Sequence, residues 1–202
     1  YLDVINENQN VQPADVAYVS THLNALLNPG VPRPLLVAPS AWSIAQSATW
    51  IKSADANTFD IASTHNSGGE NTYRIMSNFV AVAQAAGKES WNTELHSWVG
   101  TDIGSEVLTS SYLWDHLRAG FTGIDNWLFF GGYDGRDSSM LCCDKTKGVR
   151  TQVKYEIYKE MVNNANGGYG LDVSGMTGTL LSNYLHAAAF MNGQTQTVWV
   201  LN

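Results

Sequence analysis

Short apolar runs of strand length recur along this chain, and a stretch with helical periodicity separates each run from the next. Few folds accommodate that alternation. Leu2 to Ile5 reads as a strand. Pro13 then opens a helix carrying Val16, Val19, Leu23, Leu26 and Leu27, which Pro29-Gly30 stops. Leu35-Leu36-Val37 has the continuous apolar character of a strand buried on both faces, and a weaker helix follows over Ile44 to Ile51. Phe59 to Thr64 supplies a third strand. Its helix carries Ile75, Met76, Phe79, Val82, Ala83 and Ala86 on one stripe and ends at Gly87. A fourth strand runs into Trp91. A helix with Val107, Trp114 and Leu117 leads to Gly120, GIDNWLFFGG supplies a fifth strand, and Val153, Ile157 and Met161 mark a last helix.

Strands alternating with amphipathic helices predict an α/β fold, a parallel sheet covered by helices. An open doubly wound sheet and a (β/α)8 TIM barrel both satisfy the pattern. The glycine-rich, phosphate-cradling turn of nucleotide-binding open sheets follows none of the strands. Asn, Glu, His and Trp stand there instead, as at a barrel mouth, where all the βα loops open on one face. The expectation is therefore a partial barrel over residues 1–165, holding strands four to eight. The chain opens at Tyr1-Leu2-Asp3 as if inside a strand, so the first strands are expected from an upstream part or from a chain supplying it. After Asn166-Gly167-Gly168 helical periodicity stops. YLHAAAFM and TQTVWVLN flank Asn192-Gly193, a hairpin signal, and predict a small antiparallel β-domain, the start of a sandwich, over residues 166–202.

With 11 basic against 18 acidic residues and a formal charge of −7, the chain lacks the basic surface that nucleic-acid binding needs. No apolar run approaches the roughly 18 residues of a membrane span. The two cysteines, Cys142 and Cys143, are adjacent, which is neither a disulfide framework nor zinc-ligand spacing. Seven Trp and nine Tyr suit a protein that offers ring faces to a ligand.

Two acids end strands three βα units apart. Glu7 follows YLDVIN and Glu94 lies in WNTELHS. In a barrel those ends face each other across one mouth. Two facing carboxylates cleave a glycosidic bond, one as protonated acid at the leaving oxygen, the other as nucleophile or base. Either Glu alone would read as a solvated loop residue. Both together, each after a polar hydrogen-bonding residue, favour catalysis.

Asn6-Glu7 after YLDVI, and Thr93-Glu94 after a strand ending in Trp91, resemble the signature of the clan A retaining glycoside hydrolases. In that clan an Asn-Glu pair ends the fourth barrel strand and a second Glu ends the seventh. The resemblance covers nearly the whole chain and is greatest to glycoside hydrolase family 30, with families 39 and 86 as competitors. It implies a retaining endo- or exo-β-glycosidase acting on a polysaccharide or oligosaccharide without metal or cofactor. Glu7 would be the acid/base, Glu94 the nucleophile, and Asn6 a partner of the sugar 2-hydroxyl. A secreted or periplasmic location is expected for the same reason. The clan usually writes Asn-Glu-Pro, whereas Asn8 follows Glu7 here. That departure keeps open an alternative, a carbohydrate-binding barrel without turnover; an open-sheet enzyme of unrelated chemistry is a more distant rival.

Around the acids, His65 at the end of FDIASTH is a candidate for a sugar-hydroxyl or nucleophile-orienting contact, and His96 for the same from the next loop. Tyr73 is a candidate phenol partner of the nucleophile. Trp42, Trp98, Trp127, Phe130 and Tyr133 are candidates for stacking on pyranose faces. Strand parity would put Trp127 and Phe130 on opposite faces, and the resemblance sets Phe130 in place of the usual Trp of the eighth strand. YDGRDSSMLCCDK reads as a solvated loop. Its Arg136 is a candidate partner for an acidic substrate decoration, and Asp134, Asp137 and Asp144 match no calcium loop.

Overall fold

The computed structural model describes residues 1–8, 10–67, 72–95, 103–127, 129–131, 139–146, 148–171, 173 and 186–201. They fall into two compact units.

The first unit carries a five-stranded sheet in sequential order: β1 (Leu2–Asp3), β2 (Leu36–Ala41), β3 (Ile61–His65), β4 (Glu89–Leu95) and β5 (Gly123–Asn126). The pairs β1–β2, β2–β3 and β3–β4 are parallel. Its helices are α1 (Pro13–Leu26), α2 (Ile44–Ser53) and α3 (Tyr73–Ala85). Local chemistry sets their ends. The Asp15 carboxylate accepts the Gln12 N–H at 2.7 Å ahead of α1, and the Ser43 hydroxyl accepts the Gln46 N–H ahead of α2. Past α3, Gly87 at φ +70° lets Lys88 N–H reach Ala83 O and Gly87 N–H reach Gln84 O, the double bond of a Schellman turn.

Helices α2 and α3 pack on each other and on β2, β3 and β4. Ile44, Ala48 and Ile51 of α2 and Met76, Phe79, Val80 and Ala83 of α3 are buried with Leu36, Phe59 and Ile61. The other face of the sheet is concave. Neighbouring strands lie about 4.8 Å apart, so β2 and β4, on either side of β3, would stand almost 10 Å apart in a flat sheet. Yet Ser40 Oγ on β2 lies 2.9 Å from Thr93 Oγ1 on β4. The rings of Tyr1, ahead of β1, and Trp91, on β4, meet at 4.8 Å between centroids. Both contacts require curling, and the sheet is a half-barrel.

The second unit contains α4 (Ile103–Ala119), a sheet of β6 (Phe130–Gly131), β7 (Leu141–Asp144) and β8 (Gly148–Thr151), then α5 (Val153–Ala165) and an antiparallel sheet of β9 (Tyr169–Leu171), β10 (His186–Asn192) and β11 (Thr195–Leu201). The β10–β11 hairpin turns at Gly193, φ +59°, with Asn192 opposite Thr195. Strand β10 packs against α4 and α5, and Trp114 meets Trp199 edge-on.

Three expectations are corrected. The fifth strand is two strands in two sheets, β5 and β6, so the parity argument for Trp127 and Phe130 does not apply. A Cβ on Gly131 would lie 2.5 Å from Ser139, so only glycine lets β6 run this close to the returning chain. YDGRDSSMLCCDK does not stay a loop: its end forms β7, which pairs with β8, and Cys142 is buried there. In α5 the buried face is Lys154, Tyr158 and Met161, because Val153 and Ile157 lie one residue round the helix from it.

Candidate active site

Three side chains from three chain segments converge where the strands of the half-barrel end. Glu7 follows β1, His65 closes β3, and Glu94 lies one residue from the end of β4. One carboxylate oxygen of each Glu and a ring nitrogen of His65 all lie within 4.8 Å of one another. His65 Nδ1 stands 2.7 Å from Glu7 Oε1 and 3.6 Å from Glu94 Oε2. His65 is 1% exposed, while the Glu7 and Glu94 side chains keep 24% and 17% of their surface. The imidazole is thus fixed by packing and the carboxylates reach solvent.

The backbone turns sharply to present Glu7. Asn6 and Glu7 have φ of +33° and +62°, and Ser40 beneath them +44°, a region that costs a side-chain-bearing residue about 1–3 kcal/mol. In that conformation the Ser40 carbonyl accepts the Glu7 N–H at 2.9 Å. A buried chain of hydroxyls holds Ser40: its N–H donates to Ser63 Oγ, and its own hydroxyl lies 2.8 Å from Ser63 Oγ and 2.9 Å from Thr93 Oγ1. Glu94 is set by Asn92, fully buried, whose side-chain oxygen accepts the Glu94 N–H at 3.0 Å. The Ser67 hydroxyl donates to Glu7 Oε1 at 3.3 Å.

Burial pushes the Glu94 carboxyl above the ordinary glutamate range. The nearby His65 opposes the shift, and the negative charges of Glu7 and Asp3 add to it. Between His65 and Glu7, at 2.7 Å, either the ring N–H donates to a carboxylate or a protonated Glu7 donates to the ring. Two carboxyl groups this close suit proton transfer combined with nucleophilic attack.

No family model matches the chain, and no curated protein matches it. Solved structures do. A glycoside hydrolase family 30 subfamily 8 xylanase from Clostridium acetobutylicum aligns with TM-score 0.71 and 15% identity, over 98% of this chain and 49% of that one. A family 30 endoxylanase from Clostridium papyrosolvens aligns with TM-score 0.63 and 14% identity, over the same shares. The chain has a family 30-like, clan A glycoside hydrolase fold. It spans about half the length of those two structures, and at such identities the likeness is one of fold.

Of the other residues singled out in the sequence, Asn6 is exposed beside Glu7, and Trp42 follows β2 with 42% of its surface exposed. Tyr73 opens α3, 41% exposed. Trp127 and Phe130 belong to the second unit, 43% and 58% exposed. His96, Trp98, Tyr133, Asp134, Arg136 and Asp137 lie outside the described residues. Ser40, Ser63, Ser67 and Asn92 support the site without having been singled out in the sequence. A signal existed: Ser40 and Ser63 interrupt apolar strands, and a hydroxyl in such a run needs a partner.

Proposed function

We propose that the chain is the second half of the catalytic barrel of a retaining β-glycosidase. The observation that carries this reading is the Glu7–Glu94 pair, with oxygens within 4.8 Å where the strands of the half-barrel end. Retaining glycosidases hold their carboxyls about 5–5.5 Å apart, inverting ones about 6.5–9.5 Å, so the spacing supports retention. Glu7 protonates the leaving oxygen while Glu94 attacks the anomeric carbon. Glu7 then takes a proton from water, which releases the sugar from Glu94. His65, in contact with Glu7, keeps the acid oriented through both protonation states, and Asn6 meets the sugar 2-hydroxyl. The substrate is a β-linked polysaccharide or oligosaccharide; xylan is the first to test, since the two similar structures are xylanases. The remaining strands come from the rest of the barrel, and a secreted or periplasmic location fits a polymer substrate.

A second reading, a carbohydrate binder without turnover, draws on Asn8, which stands after Asn6-Glu7 where the clan usually has proline. One experiment separates the two. In the protein with its full barrel, Glu94→Gln should lower hydrolysis of xylan or β-glucan by about 10⁴-fold or more while leaving oligosaccharide binding intact. A wild-type protein that binds the sugar and releases no reducing ends refutes the hydrolase.

A further inference from the structure

We propose that Glu7, His65 and Glu94 also form a binding site for a divalent transition-metal ion of the zinc class, and that such an ion blocks the carboxylate pair. The blocking depends on the glycosidase reading; the binding does not.

Zinc binds imidazole nitrogen and carboxylate oxygen at about 2.0–2.2 Å, which places tetrahedral ligands about 3.4 Å from one another. The separations here bracket that figure: 2.7 Å from His65 Nδ1 to Glu7 Oε1, 3.6 Å to Glu94 Oε2, and no more than 4.8 Å across the set. The two carboxylates, both reaching solvent, are the members that rotate to meet a common ion. The immobile member is the imidazole, buried to 1% exposure on β3, so the site is organised around its least movable ligand. The donor set chooses the metal class. One imidazole with two carboxylates suits zinc, copper or nickel, whereas magnesium prefers an all-oxygen octahedron. Outer-shell support is present: Ser67 donates to Glu7, and Asn92 fixes the backbone of Glu94. Asp3 adds a negative charge that Glu94 feels. An ion held here occupies the lone pairs that would attack carbon and carry the proton, so it inhibits competitively with the sugar.

The test is titration calorimetry of the full-barrel protein with zinc chloride alone, beside magnesium chloride. One zinc ion per chain is expected, with His65→Asn, Glu94→Gln and Glu7→Gln each weakening it by about 10-fold or more, and no comparable magnesium binding. Absence of zinc binding by the wild-type protein overturns the proposal. So does binding that the well-folded variants keep, or magnesium binding as tight as zinc. Because calorimetry reads the ion and not turnover, a protein that binds zinc but releases no sugar rejects the glycosidase and retains the metal site. One that hydrolyses but ignores zinc does the reverse.

Discussion

Ser40 shows how much of the site is held by residues that do no chemistry. Its carbonyl receives the Glu7 N–H only because its backbone is left-handed, at φ +44°. Glycine adopts that conformation without strain and alanine does not. Ser40→Ala should therefore lose the hydroxyl chain and keep the strain, lowering kcat by about 10- to 100-fold with KM little changed. Ser40→Gly, relieved of strain, should melt at a higher temperature than the alanine variant. Equal melting temperatures would show that the backbone strain is not felt. Glu7 makes a separate prediction. Glu7→Gln should slow substrates with poor leaving groups by about 10²- to 10⁴-fold, yet much less for an aryl glycoside whose phenol leaves without a proton. Equal losses on both substrates would remove Glu7 from the acid role. The two glutamates were legible in the sequence because strand ends in a parallel α/β fold open on the same edge. The hydroxyl chain of Ser40, Ser63 and Thr93 was not, since it joins three strands through a curl that no local pattern encodes.

Element by element, the half-barrel follows from periodicity, and its capping is local: Gly87 ends α3 as read from the sequence. What periodicity misses is context. Four-residue spacing in α5 fits two neighbouring faces, and packing chose the one with Lys154 and Tyr158. Leu26 belongs to the apparent stripe of α1 but is 80% exposed. Glycine at 123 marks a close approach, where a Cβ would fall 2.6 Å from the Trp91 ring. Gly123→Ala should destabilise by about 1–3 kcal/mol in urea unfolding, and an unchanged midpoint would mean the ring gives way freely. Helix α4 carries a titrating group. His116 is fully buried, its ring nitrogen 2.7 Å from the Tyr112 carbonyl, and burial lowers its pKa from 6.5 to about 4. The unfolded chain takes a proton that the folded one refuses, so stability is intact above pH 6.5 and drains away as pH falls towards 4. The loss is on the order of 3 kcal/mol, and His116→Gln should flatten that part of the pH–stability curve. A variant with the wild-type acid slope would place the lability elsewhere.

For the molecule as a whole, the alternation of strands and helices was enough to anticipate a parallel sheet, and the described strands form that sheet as a half-barrel. The curl shows in contacts that skip neighbouring strands, Ser40 with Thr93 and Tyr1 with Trp91. It turns two acids distant in sequence into a pair. The divided fifth strand was not legible, because its halves read as one apolar run, whereas β6 pairs with β7 in a sheet of its own. That pair is the core of the proposed chemistry, and its spacing predicts the stereochemistry of the product. The direct measurement is proton NMR of the first sugar released from a β-linked oligosaccharide by the full-barrel protein, read before mutarotation. The β-anomer should appear first. Initial release of the α-anomer would contradict double displacement by Glu7 and Glu94.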